Sequence, residues 1–131
     1  MYIEDGELNH VHNGYGDMTE VPCGELPEGV SEIKLAVEAV GDLKWNAKVF
    51  VDDSMVAETR DLPVLTAMAP FEGIDVGIDR RSPVSWSLYE RHGTFPYTGS
   101  LNSVTYIPGE LAPDAGTRWI DLLRDSGVKY E

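Results

Sequence analysis

The sequence predicts an all-β chain: an antiparallel two-sheet β-sandwich of jelly-roll or concanavalin-like type, closed by a short C-terminal helix. Three observations lead there. Turn signals recur roughly every eight to twelve residues, several segments between them alternate apolar and polar with a period of two, and no convincing helical period occurs before residue 113. The expected division is a sandwich over 1–108 and a helical tail over 109–131.

A length of 131 residues and a hydrophobic fraction of 42% suit one domain with a single core. Against 10 Lys and Arg stand 23 Asp and Glu, a formal net charge of -13. That excess disfavours nucleic acid and anionic membranes as partners and favours neutral or basic ones. The acidic residues are scattered among apolar ones, which reads as a solvated surface instead of an acidic tail. Cys23 is the single cysteine, so no internal disulfide is expected and the compartment stays open. Met1-Tyr2-Ile3-Glu4-Asp5 has neither the basic region nor the apolar run of a signal peptide, so none is expected in this chain. No apolar run reaches the ~18 residues that a membrane-spanning helix needs.

Taken in order, Tyr2–Glu4 and Glu7–His12 flank Asp5-Gly6, a dipeptide that accepts the positive φ angles of a two-residue hairpin turn. Asn13–Gly16 and Pro22–Gly29 are rich in Gly and Pro and read as loop, with a short strand near Met18–Val21. Ser31–Val40 is the clearest strand. Ile33, Leu35, Val37 and Ala39 fall on one face, and Glu32, Lys34 and Glu38 on the other. Gly41-Asp42 ends it, Ala47–Val51 begins the next strand, and Asp52-Asp53-Ser54 turns the chain into Met55–Thr59. Pro63–Phe71 reads as a connection along the core.

Ile74, Val76 and Ile78 alternate with Asp75, Gly77 and Asp79, predicting another strand with a bulge or close approach at Gly77. Ser82–Thr94 is expected as a loop carrying Trp86, Tyr89 and His92, and Gly99–Ile107 as the last strand before Pro108-Gly109. Pro113-Asp114 can start a helix whose apolar face holds Trp119, Ile120, Leu122 and Leu123, with Ser126-Gly127 ending it. Such a helix can dock on its own sandwich or on a neighbour.

These segments also carry a resemblance. The run Asp5-Gly6 to Leu8, His10-x-His12-Asn13, Leu26-Pro27 to Gly29, Val49-Phe50-Val51-Asp52, Gly73–Ser85 and Phe95–Val104 resembles the C-terminal β-sandwich region of a group of bacterial arylsulfatases, over about residues 2 to 107. Its most specific parts are Gly77–Ser85 and Phe95–Leu101. The resemblance implies an all-β accessory domain that packs against a large α/β sulfatase domain. It implies no catalysis by this chain. Sulfatases make formylglycine from a Cys/Ser-x-Pro-x-Arg motif; Cys23-Gly24-Glu25-Leu26-Pro27 lacks its Pro and Arg positions, and no serine here supplies it. The chain is therefore expected not to be an enzyme on its own, with no catalytic, cofactor-binding or metal residues, although a parent protein or partner could hydrolyse sulfuric esters.

Other groupings are weighed against plainer readings. His10-x-His12 places two imidazoles about 7 Å apart on one strand face, a spacing that can chelate a metal if His92 arrives by folding. Surface or packing histidines are the plainer reading. Asp75 and Asp79 share a face about 13 Å apart when extended, too far for a pair doing acid and base work unless a turn near Gly77 shortens the distance. Solvation, or hydrogen bonding to the following loop, is the alternative.

Trp86, Tyr89, Phe95 and Tyr97 can form an aromatic platform for a sugar or an anchor for a partner, or pack over one end of the sandwich. Arg80-Arg81 is a basic pair in an acidic chain. The expected interaction surface is thus Asp75, Asp79, Arg80, Trp86, Tyr89, Phe95 and Tyr97. Expected partners are a sulfatase catalytic domain or a second copy of the chain, with a stand-alone lectin-like carbohydrate-binding module as the alternative function.

Overall fold

The structure is a computed structural model and describes residues 1–14, 16–64, 74–80 and 83–128. Two three-stranded antiparallel sheets follow each other along the chain. The first is β1 (Tyr2–Glu4), β2 (Glu7–Gly14) and β3 (Asp17–Glu25); the second is β4 (Ile33–Gly41), β5 (Lys44–Val51) and β6 (Ser54–Pro63). In both, spatial order equals chain order, so each sheet is an up-and-down meander. Two helices complete the described residues: α1 (Trp86–His92) and α2 (Ala115–Val128).

Turn chemistry sets the registers. Asp5 (φ 51°) and Gly6 (φ 84°) close the first hairpin in the left-handed conformation that keeps the twist of the flanking strands, and Ile3 lies opposite Leu8. At the β4–β5 turn, Asp42 (φ 53°) and Leu43 (φ 55°) do the same, with a leucine accepting a conformation usually left to Gly, Asn or Asp. The Asp52 carboxylate accepts from the Ser31 N–H (3.1 Å), the Ser31 hydroxyl (2.7 Å) and the Glu32 N–H (3.0 Å). These donors hold its pKa below the ordinary carboxylate value and fix the entry to β4 against the β5–β6 turn.

The core lies between the sheets. Leu8 and Cys23 of the first sheet pack with Val49 and Val51 of the second, ringed by Ile3, Leu26, Val30, Ile33 and Ala57. Removing a Leu or Val side chain fully from water is worth about 1.5–3 kcal/mol. Alternation along β5 places Ala47, Val49 and Val51 on this buried side. Pairing steps from Leu8–Gly24 to Asn9–Pro22, which leaves Cys23 as the extra residue of a bulge. His12 adds a polar tie, its Nε2 lying 2.7 Å from the Pro63 carbonyl oxygen of β6.

Several sequence expectations change. β3 runs through Pro22 and Gly24, which an edge strand with a bulge accommodates, where a loop was expected from Pro22. Among the described residues Ile74–Asp79 is not a strand: its only ladder contact there is an isolated antiparallel bridge between Ile78 and Pro96. The expected loop Ser82–Thr94 contains α1, so a helix does precede residue 113. Gly99–Ile107 has no strand partner among the described residues and is exposed throughout. Residues 65–71 of the expected core connection, together with Tyr15, Gly73, Arg81 and Ser82, lie outside the described residues.

The C-terminal helix is present, starting one residue past Asp114 and extending through Val128. Asp114 ties its start to the β4–β5 turn: Oδ2 accepts from the Asp42 N–H at 2.8 Å and from Arg118 Nε at 2.8 Å, while the Arg118 guanidinium also pairs with Asp42. Gly41 matters here, since a Cβ at that position would lie 3.3 Å from Asp114 Oδ1. The first turn of α2 therefore docks on its own second sheet, whereas Trp119, Ile120 and Leu123 remain exposed.

Candidate functional site

The residues expected to form an interaction surface fall into two linked groups. The first joins 74–80 to 95–97: besides the Ile78–Pro96 bridge, the Tyr97 N–H donates to the Gly77 carbonyl at 2.6 Å. Gly77 has a φ of 77°, so the backbone turns there instead of continuing as a strand. Asp75 Oδ2 accepts from the Arg80 N–H at 3.0 Å, and Asp79 Oδ2 accepts from the Val84 N–H at 2.7 Å. Each carboxylate thus binds a backbone donor five residues ahead. Hydrogen bonding to the following loop, one of the plainer readings of these residues, is what both carboxylates make.

The second group belongs to α1. Ser85 caps its N-terminus, with Oγ accepting from the Leu88 N–H at 3.3 Å and lying 3.1 Å from Ser87 Oγ. At the other end the Gly93 N–H returns to the Tyr89 carbonyl at 2.7 Å. Leu88 is the buried residue of the helix, while Trp86 and Tyr89 face solvent. Their rings meet edge to face, centroids 6.3 Å apart and planes at 88°. Phe95 instead packs edge-on against His92 at 5.6 Å. Trp86 and Tyr89 thus meet as a corner and not as one flat stacking plane, while the Phe95 ring is paired with His92.

Arg91 and His92 anchor α1 to β1. Glu4 Oε1 accepts from Arg91 Nε at 3.1 Å, Glu4 Oε2 from Arg91 Nη2 at 2.8 Å, and His92 Nε2 lies 2.6 Å from Glu4 Oε1. The hydrogen bonds from Arg91 and then His92 hold the Glu4 pKa below its ordinary value. His92 is thereby engaged at β1. His10 is buried in β2; burial, then the neighbouring N-terminal amine and His12, push its pKa down. Among the described residues, no group of three or more His, Cys, Asp or Glu side chains is placed to hold a metal ion.

Comparison with protein-family models, with curated proteins and with solved structures gives no match.

The expected interaction surface leaves out a second group of exposed apolar residues on the C-terminal side, of which only the tail-helix face was anticipated. Tyr106, Ile107 and Leu111 are 82%, 84% and 86% exposed, and Leu101, Val104, Trp119 and Leu123 are also exposed. Two shallow clefts border this stretch. One, of about 270 Å³, separates Glu110, Leu111 and Pro113 from Val37–Ala39. The other, of about 140 Å³, lies between the start of α2 and the β4–β5 turn and includes Trp45 and Trp119. The signal was in the sequence: Leu101, Val104, Tyr106 and Ile107, within the expected strand Gly99–Ile107, are apolar side chains that need a partner, whichever chain supplies it.

Proposed function

We propose that this chain is a non-catalytic accessory module of an arylsulfatase-like protein, docking on a sulfatase catalytic domain or an equivalent partner. One observation carries the reading: exposed apolar side chains recur from Leu101 through Leu111 and again at Trp119, Ile120 and Leu123, on a chain otherwise rich in charge. Isolated exposed apolar residues are ordinary, but a concentration of them in one stretch and one helix marks an interaction surface. The resemblance in Gly77–Ser85 and Phe95–Leu101 supplies the identity of the partner. A complete sandwich of jelly-roll or concanavalin-like type belongs to the same proposal, with Gly99–Ile107 becoming a strand when it docks.

The test is a calorimetric titration of the full chain into a bacterial arylsulfatase catalytic domain from which the C-terminal sandwich has been removed. A one-to-one complex with a negative heat-capacity change is expected, since apolar surface is buried. A double substitution, Tyr106→Ser with Ile107→Ser, should weaken it. Absence of any complex, or a complex indifferent to that substitution, would overturn the reading.

A further inference from the structure

The second sheet has an open edge. β4 is nine residues long and pairs with β5 on one side only; no strand among the described residues pairs with the other. The Asp52 N–H donates to the Glu32 carbonyl at 2.9 Å. In an antiparallel ladder such bonds recur at every second residue, so Lys34, Ala36 and Glu38 turn their backbone groups toward β5. Ile33, Leu35, Val37 and Ala39 turn theirs outward. A free row of this kind is a template for another strand unless charge or proline blocks it, and β4 contains no proline.

The charges on β4 are arranged to select that strand. We propose that β4 pairs antiparallel with β4 of a second copy about a two-fold axis at Ala36. The outward-facing Leu35 of each copy then exchanges backbone hydrogen bonds with Val37 of the other. Lys34 of each copy lies opposite Glu38 of the other, at positions between the hydrogen-bonded pairs, where side chains approach most closely. Neighbouring registers lose this match. Centring on Leu35 sets Glu32 against Glu38 and Lys34 against Ala36; centring on Val37 sets Lys34 against Val40 and Glu38 against Ala36. A shift by a single residue would also pair the apolar face with the polar one.

The same pairing covers apolar surface. Leu35 and Val37 lie on the core face of the sheet yet are 38% and 43% exposed. Across the axis each would meet the other's counterpart, extending the buried strip of Ala47, Val49 and Val51 from one copy into the next. The cleft between Val37–Ala39 and Glu110–Pro113 gives the Ile33 end of the incoming strand a place to enter. Each copy carries a net charge of -13, which opposes association. Salt at physiological strength screens that repulsion beyond about 8 Å, whereas the Lys34–Glu38 pairs are in direct contact. This inference is independent of docking through the C-terminal surface.

Sedimentation equilibrium of the full chain over a micromolar-to-millimolar range tests it, and a concentration-dependent dimer is expected. Lys34→Glu and Glu38→Lys should each raise the dissociation constant about tenfold, because each changes two symmetry-related cross-strand pairs. Glu38→Lys also lowers the net negative charge, so repulsion alone would make it associate more tightly. Mixing the two single variants should restore association as a heterodimer, since every facing pair is again of opposite sign. Val37→Pro removes an outward N–H while leaving the β5 ladder intact and should abolish the dimer, with circular dichroism confirming the fold. A monomer at every concentration overturns the proposal, as does a dimer whose affinity is unchanged by both charge variants.

Discussion

Arg91 and Glu4, 87 residues apart in the chain, meet as a two-pronged ion pair that fastens the end of α1 to the first strand. Planar guanidinium and carboxylate groups in this geometry give direction as well as attraction.

The pair sets a pH dependence. Glu4 has a folded pKa held below its ordinary value of 4.5. A depressed acid contributes stability that is fully present above the unfolded value and is lost as pH falls through the folded one. Thermal melts should therefore show stability decreasing as pH drops below about 4.5, and Glu4→Gln should reduce that slope without abolishing it. Asp52 and Asp114 are depressed by their own donors and keep the remainder. An unchanged slope in Glu4→Gln would mean that the ion pair contributes nothing to folding.

Ser85 is almost wholly buried, 1% exposed, and its hydroxyl satisfies a backbone donor in the first turn of α1. Ser85→Ala should cost about 1 kcal/mol in chemical denaturation, the usual effect of losing such a cap. A seven-residue helix has little else of its own to hold it. Loss of the fluorescence difference between folded and unfolded Trp86 at lower denaturant than the global transition would report local release of α1.

The hairpins were legible because their signals agree: Asp5-Gly6 requires the turn that the flanking alternation also asks for, and Ile33–Ala39 alternates with Ala36 as its single break. Ile74–Asp79 shows how the same alternation misleads. Asp75 and Asp79 give their carboxylates to backbone donors ahead of them, competing with any ladder, and Gly77 turns the chain. The helix at Trp86–His92 carried readable punctuation in Ser85 before it and Gly93 after it, with Arg91 and His92 in its last turn. Seven residues are too few for periodicity to reveal it. The pairing of Glu4 with Arg91 depends on chain separation that no local pattern encodes.

Leu8 and Cys23 lie at the centre of the contact between sheets, which makes them measures of that contact. Leu8→Ala should cost about 2–5 kcal/mol by urea denaturation, a large part of the stability of a small domain. The Cys23 thiol is buried and its pKa is pushed up by desolvation, so in the native protein it should react with Ellman's reagent far more slowly than free cysteine near pH 8. Labelling should accelerate as urea unfolds the chain, and in Leu8→Ala the acceleration should come at lower urea. Fast labelling of the native protein would show that the sheets separate readily.

Asp75 and Asp79 allow a substitution that separates structure from chemistry. Asparagine keeps an acceptor oxygen for the Arg80 and Val84 N–H groups, although it removes the charge; alanine removes both. If these residues shape the turn, Asp79→Ala should cost about 1 kcal/mol in denaturation, and Asp79→Asn should recover most of that loss. Asp75→Ala should cost less, because Asp75 is more exposed than Asp79 and water can replace its bond. Equal losses for Asn and Ala would instead point to the charge, with a partner beyond the backbone donors. The turn has a second observable consequence, because the Tyr97 N–H is bonded to Gly77 within it. Hydrogen exchange at Tyr97 should quicken in Asp79→Ala and remain slow in Asp79→Asn, since a backbone amide held by a formed turn exchanges only when the turn opens.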